Sequence, residues 1–549
     1  MKNKAFFIKI VLFLIAFGGA LYFPFIGEKE FQGEEGRRVL IALQMLETKE
    51  FLFPKLFDTF YFLKPPGYNW FLALWFYLFK DFSEWTARAS SAVSLIFTSL
   101  VFTWIWIKIL KKEEIVEQKN ISWVVFLLPG LIFLTTPEVI DKGIRAEIDG
   151  FYTFLVSTSL FSWFYFYEIE KRRMVGFVLW GIFMGLAVLT KTFHALLFFY
   201  LAWIPYLLYF KRVKELFSIP HFLGIGITLG IFITWLLVSL GFDITLFKAW
   251  LGEYQGAVSG AEVSLTQHFE AFTLGFLIGY APWIFFFLVL KEKEFFKSFL
   301  DKHPNFFRFF LFSLFLFVFS YLFHIFCLGA RLRYMLPGVG GLVFVSSTVF
   351  LYLILEKQRM ISKIGKICIR FLPWFCVFLS LSFLAYLMFK GFYYWEAFLT
   401  TILLMSGSIF FGFRFRKEVT YKGVFWFLVF CVFFIKQAYA AFYYSYHKEK
   451  FDYFRKAAKN LILTVGKNEV IYLCEETPHH LIYYGKYRYQ ALDFIYLKNC
   501  NPDVVSKLKD RWILISKERF ESLGFKEKKF SELRVLPVRK KLYFLVKNY

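Results

Sequence analysis

The sequence contains few of the residues that usually bind metal ions. Its 549 residues include 6 cysteines and 8 histidines, and the histidines lack the spacing that is typical of metal ligands. Four of the cysteines lie in or beside apolar segments, where we expect them to pack: Cys327, Cys368, Cys376 and Cys431. The sequence therefore gives little support for a metal site.

The chain also lacks the polar composition of a soluble protein. Hydrophobic residues make up 58% of it and aromatic residues 23%, and the mean hydropathy is +0.54. These values lie outside the usual range for soluble proteins. Apolar segments recur from Phe6 to Ala440, and each approaches the roughly 20 helical residues that a bilayer crossing needs. We therefore expect a polytopic membrane protein.

The net charge of +24 would suggest nucleic-acid binding in a soluble protein. Here the lysines and arginines fall mainly in short turns between apolar segments, which is a topology signal. We therefore expect membrane lipid, and no nucleic acid, as a partner. Lys2, Lys4 and Lys9 precede the first apolar segment, which has no small-residue cleavage site, so we expect it to be a retained helix.

Thirteen transmembrane helices are predicted, at residues 6–26, 88–110, 121–137, 150–167, 174–190, 193–210, 221–240, 271–290, 306–328, 334–355, 369–389, 397–413 and 423–441. With the N-terminus inside, every inner turn is basic, as the positive-inside rule requires. The odd number of crossings places the C-terminal segment outside.

Nine ionisable residues then lie in outer segments, although no topology rule requires them there: Glu34, Glu35, Arg37, Arg38, Lys64, Asp149, Lys191, Arg331 and Arg333. For any single residue, the competing interpretation is a side chain that extends from a helix end to the membrane interface. The grouping of both signs on one face favours a functional site.

The first outer loop, about Gly27–Ala87, is predicted to contain two helices that lie in the membrane plane. Residues Gly33–Glu47 have an apolar face at helical spacing. Tyr68–Phe79 is too short to span a bilayer comfortably. The preceding Pro65-Pro66 pair keeps Lys64 outside this helix.

These residue types suit the transfer of a sugar from a lipid phosphate. Lysine and arginine stabilise the departing phosphate through charge-assisted hydrogen bonds, and the candidates are Lys64, Lys191, Arg331 and Arg333. Glu34 or Asp149 is expected either to remove the acceptor proton or to stabilise the positive sugar ring. The alternatives are an intrahelical pair of Glu34 with Arg37 or Arg38, and an interaction of Asp149 with a helix dipole.

Six motifs, in this order, carry a resemblance to a known family: Gly33-Glu34-Glu35-Gly36-Arg37-Arg38, Lys64-Pro65-Pro66-Gly67-Tyr68, Arg145-Ala146-Glu147-Ile148-Asp149, Leu189-Thr190-Lys191, His268 followed by Tyr280-Ala281-Pro282-Trp283, and Arg333-Tyr334-Met335-Leu336-Pro337. Over residues 1–345 the chain resembles the outer-face, lipid-dependent glycosyltransferases of the GT-C fold, which include aminoarabinose transferases and protein O-mannosyltransferases.

The resemblance implies an inverting transferase with a polyprenyl-phosphate sugar donor. It implies catalytic acidic positions at Glu34 and Asp149, donor-phosphate contacts from Lys64 and Lys191, and a pocket shaped in part by Arg37. Further candidate substrate contacts are Glu35, Tyr334, Glu253 and His268. No cofactor is expected to be required.

Two departures from the family pattern leave the substrates open. Aminoarabinose transferases commonly carry Glu, associated with a metal, where this chain has Leu63, which weakens the case for a divalent metal. Their loop after the seventh helix tends to carry a Glu-His pair followed by arginine, whereas no arginine closely follows Glu253 in this chain. The resemblance therefore implies aminoarabinose or another sugar such as a uronic acid as the donor sugar, and lipid A, the lipopolysaccharide core or another envelope glycan as the acceptor. A protein O-glycosyltransferase is the alternative.

The expected organisation is a transmembrane glycosyltransferase domain at residues 1–445 and a small periplasmic α/β domain at 446–549. Strands are predicted at Val470–Leu473, Trp512–Ile515 and Lys541–Val546, and a helix from Asn501. Cys474 and Cys500 either pair, as an oxidising compartment would allow, or remain apart. We expect this domain to be structural, although its residues His479, Tyr483 and Tyr484 could border an acceptor cleft.

We expect the chain in a bacterial inner membrane, with its site on the periplasmic side. A transporter is the alternative from another class. Transporters tend to have internal repeats and midplane sites, whereas these charges lie near one surface and no repeat is visible. A binding or assembly scaffold is a third interpretation, which the number of grouped ionisable residues disfavours.

Overall fold

The computed structural model describes residues 2–57, 59–61, 64–115, 122–240, 248, 264–356, 363–475, 479–497, 499–525, 530–538 and 541–548. Its contacts divide the chain into two compact units. The membrane unit comprises residues 1–24, 63–68 and 89–443, and the loop-and-tail unit comprises residues 25–62, 69–88 and 444–549.

Helices make up almost all of the membrane unit. The longer α-helices, some of which continue into the other unit, are Lys2–Tyr22, Glu84–Lys112, Arg173–Lys191, Ile219–Leu240, Pro304–Phe326, Lys363–Phe389, Trp395–Lys417 and Tyr421–Lys450. The shorter ones are Val124–Leu134, Pro137–Gly143, Ile148–Phe164, His194–Tyr209, Leu265–Tyr280 and Val339–Leu355. Among the described residues, five 3₁₀ or π segments adjoin them: Tyr165–Ile169, Val213–Phe217, Trp283–Lys291, Phe295–Leu300 and Leu332–Gly338.

Helical structure lies at all thirteen predicted positions, but the described helices give a lower count of spans. Nine of them are long and apolar enough to cross a membrane, and eleven if each of two bent pairs is one span. The bent pairs turn by 63° before Pro137 and by 94° before Trp283. The two remaining predicted spans correspond to Ile148–Phe164 and His194–Tyr209, which are apolar but shorter.

Close helix packing in the membrane unit depends on small residues. A Cβ atom on Gly341 would lie 2.4 Å from the Ser313 carbonyl oxygen, and one on Gly340 would lie 2.3 Å from the Phe161 ring. Because these distances are below any real contact, only glycine lets the neighbouring helices approach so closely. The Val339–Leu355 helix is consequently buried from Val339 to Ile354.

The loop-and-tail unit combines the predicted outer-loop helices with an α/β domain. The loop helices are Glu35–Thr48 and, apart from its first two residues, Gly67–Phe79. A two-stranded ribbon pairs β1 (Lys55–Leu56) with β2 (Thr59–Phe60). The remaining strands are β3 (Glu469–Leu473), β4 (Leu492–Tyr496), β5 (Trp512–Ser516), β6 (Phe530–Val538) and β7 (Lys541–Asn548).

These five strands form one mixed sheet in the order β4-β3-β5-β7-β6. β3 pairs in parallel with β4 and β5, whereas β7 is antiparallel to β5 and β6. The three predicted strands are confirmed, and so is the helix that Asn501 caps by accepting a hydrogen bond from the Val504 N–H. β4 and β6 were not predicted.

Buried ion pairs join the first loop to the tail. Arg455 donates to the Glu84 carboxylate through Nε at 2.8 Å and to the Glu28 carbonyl at 2.8 Å. The Tyr484 hydroxyl donates to the same Glu84 oxygen at 2.9 Å. Since Glu84 is 1% exposed, removing Arg455 would leave an uncompensated buried charge, which costs about 3–5 kcal/mol.

Glu30 makes a second link between loop and tail, and it is sensitive to pH. Its carboxylate accepts hydrogen bonds from the backbone N–H groups of Phe454 at 2.7 Å and Arg455 at 3.3 Å. Burial nevertheless raises the pKa of Glu30 from about 4.5 to about 7, because desolvation disfavours the charged form.

The two tail cysteines form a disulfide. Cys474 and Cys500 are bonded, with their Cα atoms 5.1 Å apart, and both belong to the apolar core of the α/β domain. The pairing that the sequence left open is therefore made.

Candidate active site

A buried ion pair between two helix ends forms the centre of the candidate site in the membrane unit. Asp149 lies in the first turn of Ile148–Phe164, and Lys191 is the last residue of Arg173–Lys191. The Lys191 Nζ donates to the Asp149 Oδ1 at 2.6 Å, and their side chains are 11% and 6% exposed. Both predicted residues are thus brought together, and the lysine is held by a carboxylate rather than extended to solvent.

Arg333 brings a second cation to this pair. Its Nη1 lies 3.1 Å from the Glu147 Oε2 and 3.9 Å from the Asp149 Oδ2. The Lys142 Nζ also approaches Glu147, at 3.7 Å. Lys142 lies closer to Asp141, at 2.7 Å. The Asp149–Lys191 and Glu147–Arg333 pairs therefore form one largely buried cluster of two carboxylates and two cations.

The Lys64 segment packs against the helix end that carries Lys191. A Cβ atom on Gly67 would lie 2.7 Å from the Thr190 Oγ1 and 2.8 Å from the Leu189 carbonyl oxygen. Only glycine permits this approach. Lys64 lies within electrostatic range of His194, as do Lys191 and Asp149. The predicted Lys64 and Lys191 motifs thus meet through glycine packing.

Two tyrosine rings face the Lys191 ammonium group. Its Nζ lies 5.2 Å from the centre of the Tyr152 ring and 4.7 Å from that of Tyr334. Tyr152 follows Asp149 by three residues, so both lie on one helix face. Aromatic faces attract cations, and the two rings, with Asp149, fix the position of the ammonium group.

A different ionic cluster lies at the opposite ends of the same helices. The fully buried Glu168 carboxylate accepts hydrogen bonds from Arg212, from Lys171 at 3.1 Å and from Arg308 at 3.5 Å. Two of the basic turns expected on the inner side, at Lys171 and at Arg212, thus meet there. Asp149, Lys191 and Arg333 share the other side of the membrane unit.

Glu34 and Glu35, two further predicted acidic residues, belong to the loop-and-tail unit. Glu34 is 40% exposed and accepts from the Arg37 Nη1 at 3.1 Å, which is the intrahelical pair that the spacing allowed. The Arg37 Nε also donates to the Nε2 of His479 at 3.3 Å, so a tail residue contacts the loop helix. Burial, and next the Arg37 charge, lower the pKa of His479 to about 4.

Glu35 has a different environment from Glu34. It is 2% exposed, and the Arg88 Nε and Nη2 bind its two oxygens at 2.7 and 2.9 Å. Arg88 also donates to the carbonyl oxygens of Ile26 and Lys29, each at 2.7 Å. These bonds organise the first loop, so the geometry favours a structural function for Glu35.

The other candidates lie apart from the carboxylates or outside the described residues. Arg331 is exposed, and Arg333 rather than Arg331 pairs with carboxylates among the described contacts. His268 is buried, with its ring 5.6 Å from that of Phe272. Glu253 lies outside the described residues. Within the described ranges, no three His, Cys, Asp or Glu side chains are grouped as metal ligands.

Several residues of this cluster were not singled out by the sequence analysis. Glu147 stands in a quoted motif, and its proximity to Asp149 was the available signal. His194 follows Lys191 by three residues, and His324 lies within an apolar helix, where an ionisable residue is itself a signal. Tyr152 carried no signal that distinguishes it from a packing tyrosine.

Solved structures share this architecture along almost the whole chain. The crystal structure of ArnT from Cupriavidus metallidurans bound to undecaprenyl phosphate matches with a TM-score of 0.69, covering 98% of this chain and 97% of that one at 14% identity. The apo structure of the same protein matches equally well, with 100% and 98% coverage. This chain has the GT-C membrane fold.

Sequence comparisons agree with that fold. The family model described as dolichyl-phosphate-mannose-protein mannosyltransferase matches residues 63–237. The undecaprenyl phosphate-alpha-4-amino-4-deoxy-L-arabinose arabinosyl transferase of Aeromonas salmonicida is 27% identical over 186 residues, or 33% of this chain and 32% of that protein. The Pseudomonas fluorescens enzyme of that name, numbered 1, is 27% identical over 225 residues, covering 41% and 38%.

These sequence matches cover about a third of the relatives' length. Together with the GT-C fold, these matches confirm the resemblance that was based on the ordered motifs. The matched family segment contains Lys64, Asp149 and Lys191.

Proposed function

We propose that this chain is a glycosyltransferase that moves a sugar from a polyprenyl-phosphate donor to an envelope acceptor, with inversion at the anomeric carbon. The observation that carries the proposal is the buried cluster of Asp149, Lys191 and Arg333. Glycosyl transfer from a lipid phosphate requires cations at the leaving group and a carboxylate near the reacting carbon. This cluster contains both.

The cations suit the leaving phosphate. Negative charge grows on the phosphate as the glycosidic bond breaks, so a lysine and a planar arginine stabilise the transition state more than the ground state. Lys191 is held by the two tyrosine rings and Asp149 before the donor arrives, and Arg333 is held by Glu147. Lys64 is proposed as a third phosphate contact.

The carboxylates suit the acceptor side of the reaction. Asp149 is proposed to stabilise the developing positive charge on the sugar or to accept the proton of the attacking hydroxyl. Glu34 remains the second predicted acid, and its exposed carboxylate is open to an acceptor. Glu147 and Asp149 are both paired with cations, so the cluster does not favour a metal ion, and no step is assigned to one.

Aminoarabinose, or another sugar such as a uronic acid, is proposed as the donor sugar, with undecaprenyl as the lipid. Lipid A or the lipopolysaccharide core is proposed as the acceptor. The names of the relatives and the similarity to ArnT support this choice. Protein O-glycosylation is the second candidate, because the matched family model describes protein mannosyltransferases. A transporter is not favoured.

A bacterial inner membrane with the site on the periplasmic side is the proposed location. Two observations support this orientation. Two basic turns, at Lys171 and at Arg212, meet at the end of the membrane unit opposite Lys191, as expected for an inner side. The Cys474–Cys500 disulfide of the tail suits an oxidising compartment.

The proposal is tested by mass spectrometry of envelope lipids and glycoproteins from cells with and without this chain. One sugar modification should disappear without it and return with the wild-type gene and with the exposed-residue control Asp301→Asn, but not with Asp149→Asn. An unchanged envelope, or full restoration by Asp149→Asn, would contradict the proposal. Loss of a protein-linked sugar instead would favour the second candidate.

A further inference from the structure

The half-buried His194 and the buried His324 connect the Lys191 site to the interior of the membrane unit. The Tyr152 hydroxyl lies 3.2 Å from the His194 Nδ1, and the His194 Nε2 lies 3.1 Å from the His324 Nε2. The His324 Nδ1 lies 2.7 Å from the backbone carbonyl oxygen of Ser320. The three side chains and this carbonyl form a continuous chain of hydrogen bonds, which we name the histidine relay.

The last acceptor fixes the direction of every bond in the relay. A carbonyl oxygen only accepts, so the His324 Nδ1 carries the proton and, in the neutral ring, its Nε2 is an acceptor. The His194 Nε2 must then donate to it, which leaves the His194 Nδ1 as the acceptor for the Tyr152 hydroxyl. With both rings neutral, the Tyr152 hydroxyl thus donates to the His194 Nδ1.

The relay acts on the part of the site that holds the phosphate-binding lysine. Tyr152 is fully buried, and its ring faces Lys191 while its hydroxyl is bound to His194. The hydrogen bond to His194 anchors the ring, since an unpaired buried hydroxyl costs about 1–3 kcal/mol. Without this bond, whichever partner is removed, the ring is free to turn. Such a turn would remove one of the two aromatic faces from the ammonium group.

The backbone between the two helices supports this arrangement. Thr192 ends the Arg173–Lys191 helix with φ of 69°, a conformation that is rare for a β-branched residue and costs roughly 1–3 kcal/mol. The next helix begins at His194. This strained link brings Lys191 and His194, three residues apart, to the same tyrosine.

We infer that His194 and His324 are positioning residues, which hold the Tyr152 ring against Lys191 and so keep the ammonium group ready for the donor phosphate. The inference rests on the proposed function and adds two residues that no motif contains. Neither histidine is assigned a contact with substrate.

The membrane unit offers a matched control. Tyr200 and His221 form a second Tyr–His pair, with the hydroxyl 3.0 Å from the Nε2 and the Nδ1 2.6 Å from the Leu216 carbonyl oxygen. His221 is 4% exposed and lies in the first turn of Ile219–Leu240, far along the helices from Lys191. Its chemistry matches that of the relay, but its location does not.

The test measures binding of free undecaprenyl phosphate to the purified, folded full-length chain. His194→Phe and Tyr152→Phe should each weaken binding about tenfold, and the double variant should weaken it no further. His194→Gln, which retains a donor and an acceptor, should restore most of the affinity, and His221→Phe should bind like the wild type. A purely structural histidine would change the folded yield without changing the affinity of the folded fraction.

The opposing outcomes are distinct. Unchanged affinity in His194→Phe, or equal weakening in His221→Phe, would overturn the inference. If His194→Phe does not fold, the affinity of Tyr152→Phe is measured instead, and unchanged affinity in that variant would overturn the inference. Absence of binding by the wild type would contradict the proposed function itself. Nitrogen NMR of labelled histidines should show neutral rings protonated at the His194 Nε2 and the His324 Nδ1, and a charged ring at either position would also overturn the relay.

Discussion

Replacing Asp149 by asparagine should affect phosphate binding and sugar transfer in opposite directions. A phosphate oxygen that binds the Lys191 Nζ at about 2.8 Å lies no more than about 5.5 Å from the Asp149 Oδ1, which is 2.6 Å from the same nitrogen. Two unit charges at that distance repel by about 3 kcal/mol at an effective dielectric constant of about 20. Asparagine keeps the shape of the site and removes this repulsion.

We therefore expect Asp149→Asn to bind free undecaprenyl phosphate at least about tenfold more tightly, equivalent to about 1.4 kcal/mol. Sugar transfer should fall about 100-fold or more, because the carboxylate that serves the reacting groups is lost. Equilibrium binding and single-turnover transfer, measured on the same preparation with Asp301→Asn as the exposed control, give both numbers. Weaker phosphate binding in Asp149→Asn would refute this electrostatic reasoning.

Three further predictions concern the loop-and-tail unit. Because the pKa of Glu30 is raised to about 7, the folded state binds its proton more tightly than the unfolded state, so stability falls as pH rises from about 4.5 through 7. Glu30→Gln should flatten this slope in thermal unfolding between pH 5 and 8, and an unchanged slope would contradict the assignment. The double variant Cys474→Ser, Cys500→Ser should lower the free energy of unfolding of the tail by about 3 kcal/mol, measured by proteolysis of the tail in increasing denaturant. A reductant should have the same effect on the wild type, and equal protease resistance of the variant and the wild type would contradict this prediction. Glu34→Gln should abolish transfer and leave the melting temperature unchanged, since this carboxylate is 40% exposed; full activity would remove Glu34 from the catalytic residues.

The membrane architecture was predictable because bilayer thickness and backbone hydrogen bonding leave helices few alternatives. The positions of the helices were therefore recovered, whereas the local turns that end them were not predicted. Within a bundle, packing contacts and the local turn that follows determine the last residue of a helix. The left-handed conformation of Thr192 leaves no signature in hydropathy.

The candidate site was predictable where charge stood out against an apolar background. Asp149, Lys191 and Arg333 were found because ionisable residues at membrane helix ends are uncommon. Tyr152 was not found, since one tyrosine among 32 carries no distinguishing pattern. The packing of loop residues such as Glu84 with Arg455 of the tail connects positions 371 residues apart, and local sequence reasoning has no means to detect that contact.

The central claim is that a sugar leaves a polyprenyl phosphate bound by Lys191. It is tested most directly by incubating the purified full-length chain with a radiolabelled undecaprenyl-phosphate-linked aminoarabinose or uronic acid donor and lipid A or lipopolysaccharide core as the acceptor. The wild-type chain should move the label to the acceptor, and Lys191→Met should not, although it remains folded. Equal transfer by Lys191→Met, or no transfer by the wild type from any such donor, would contradict the claim.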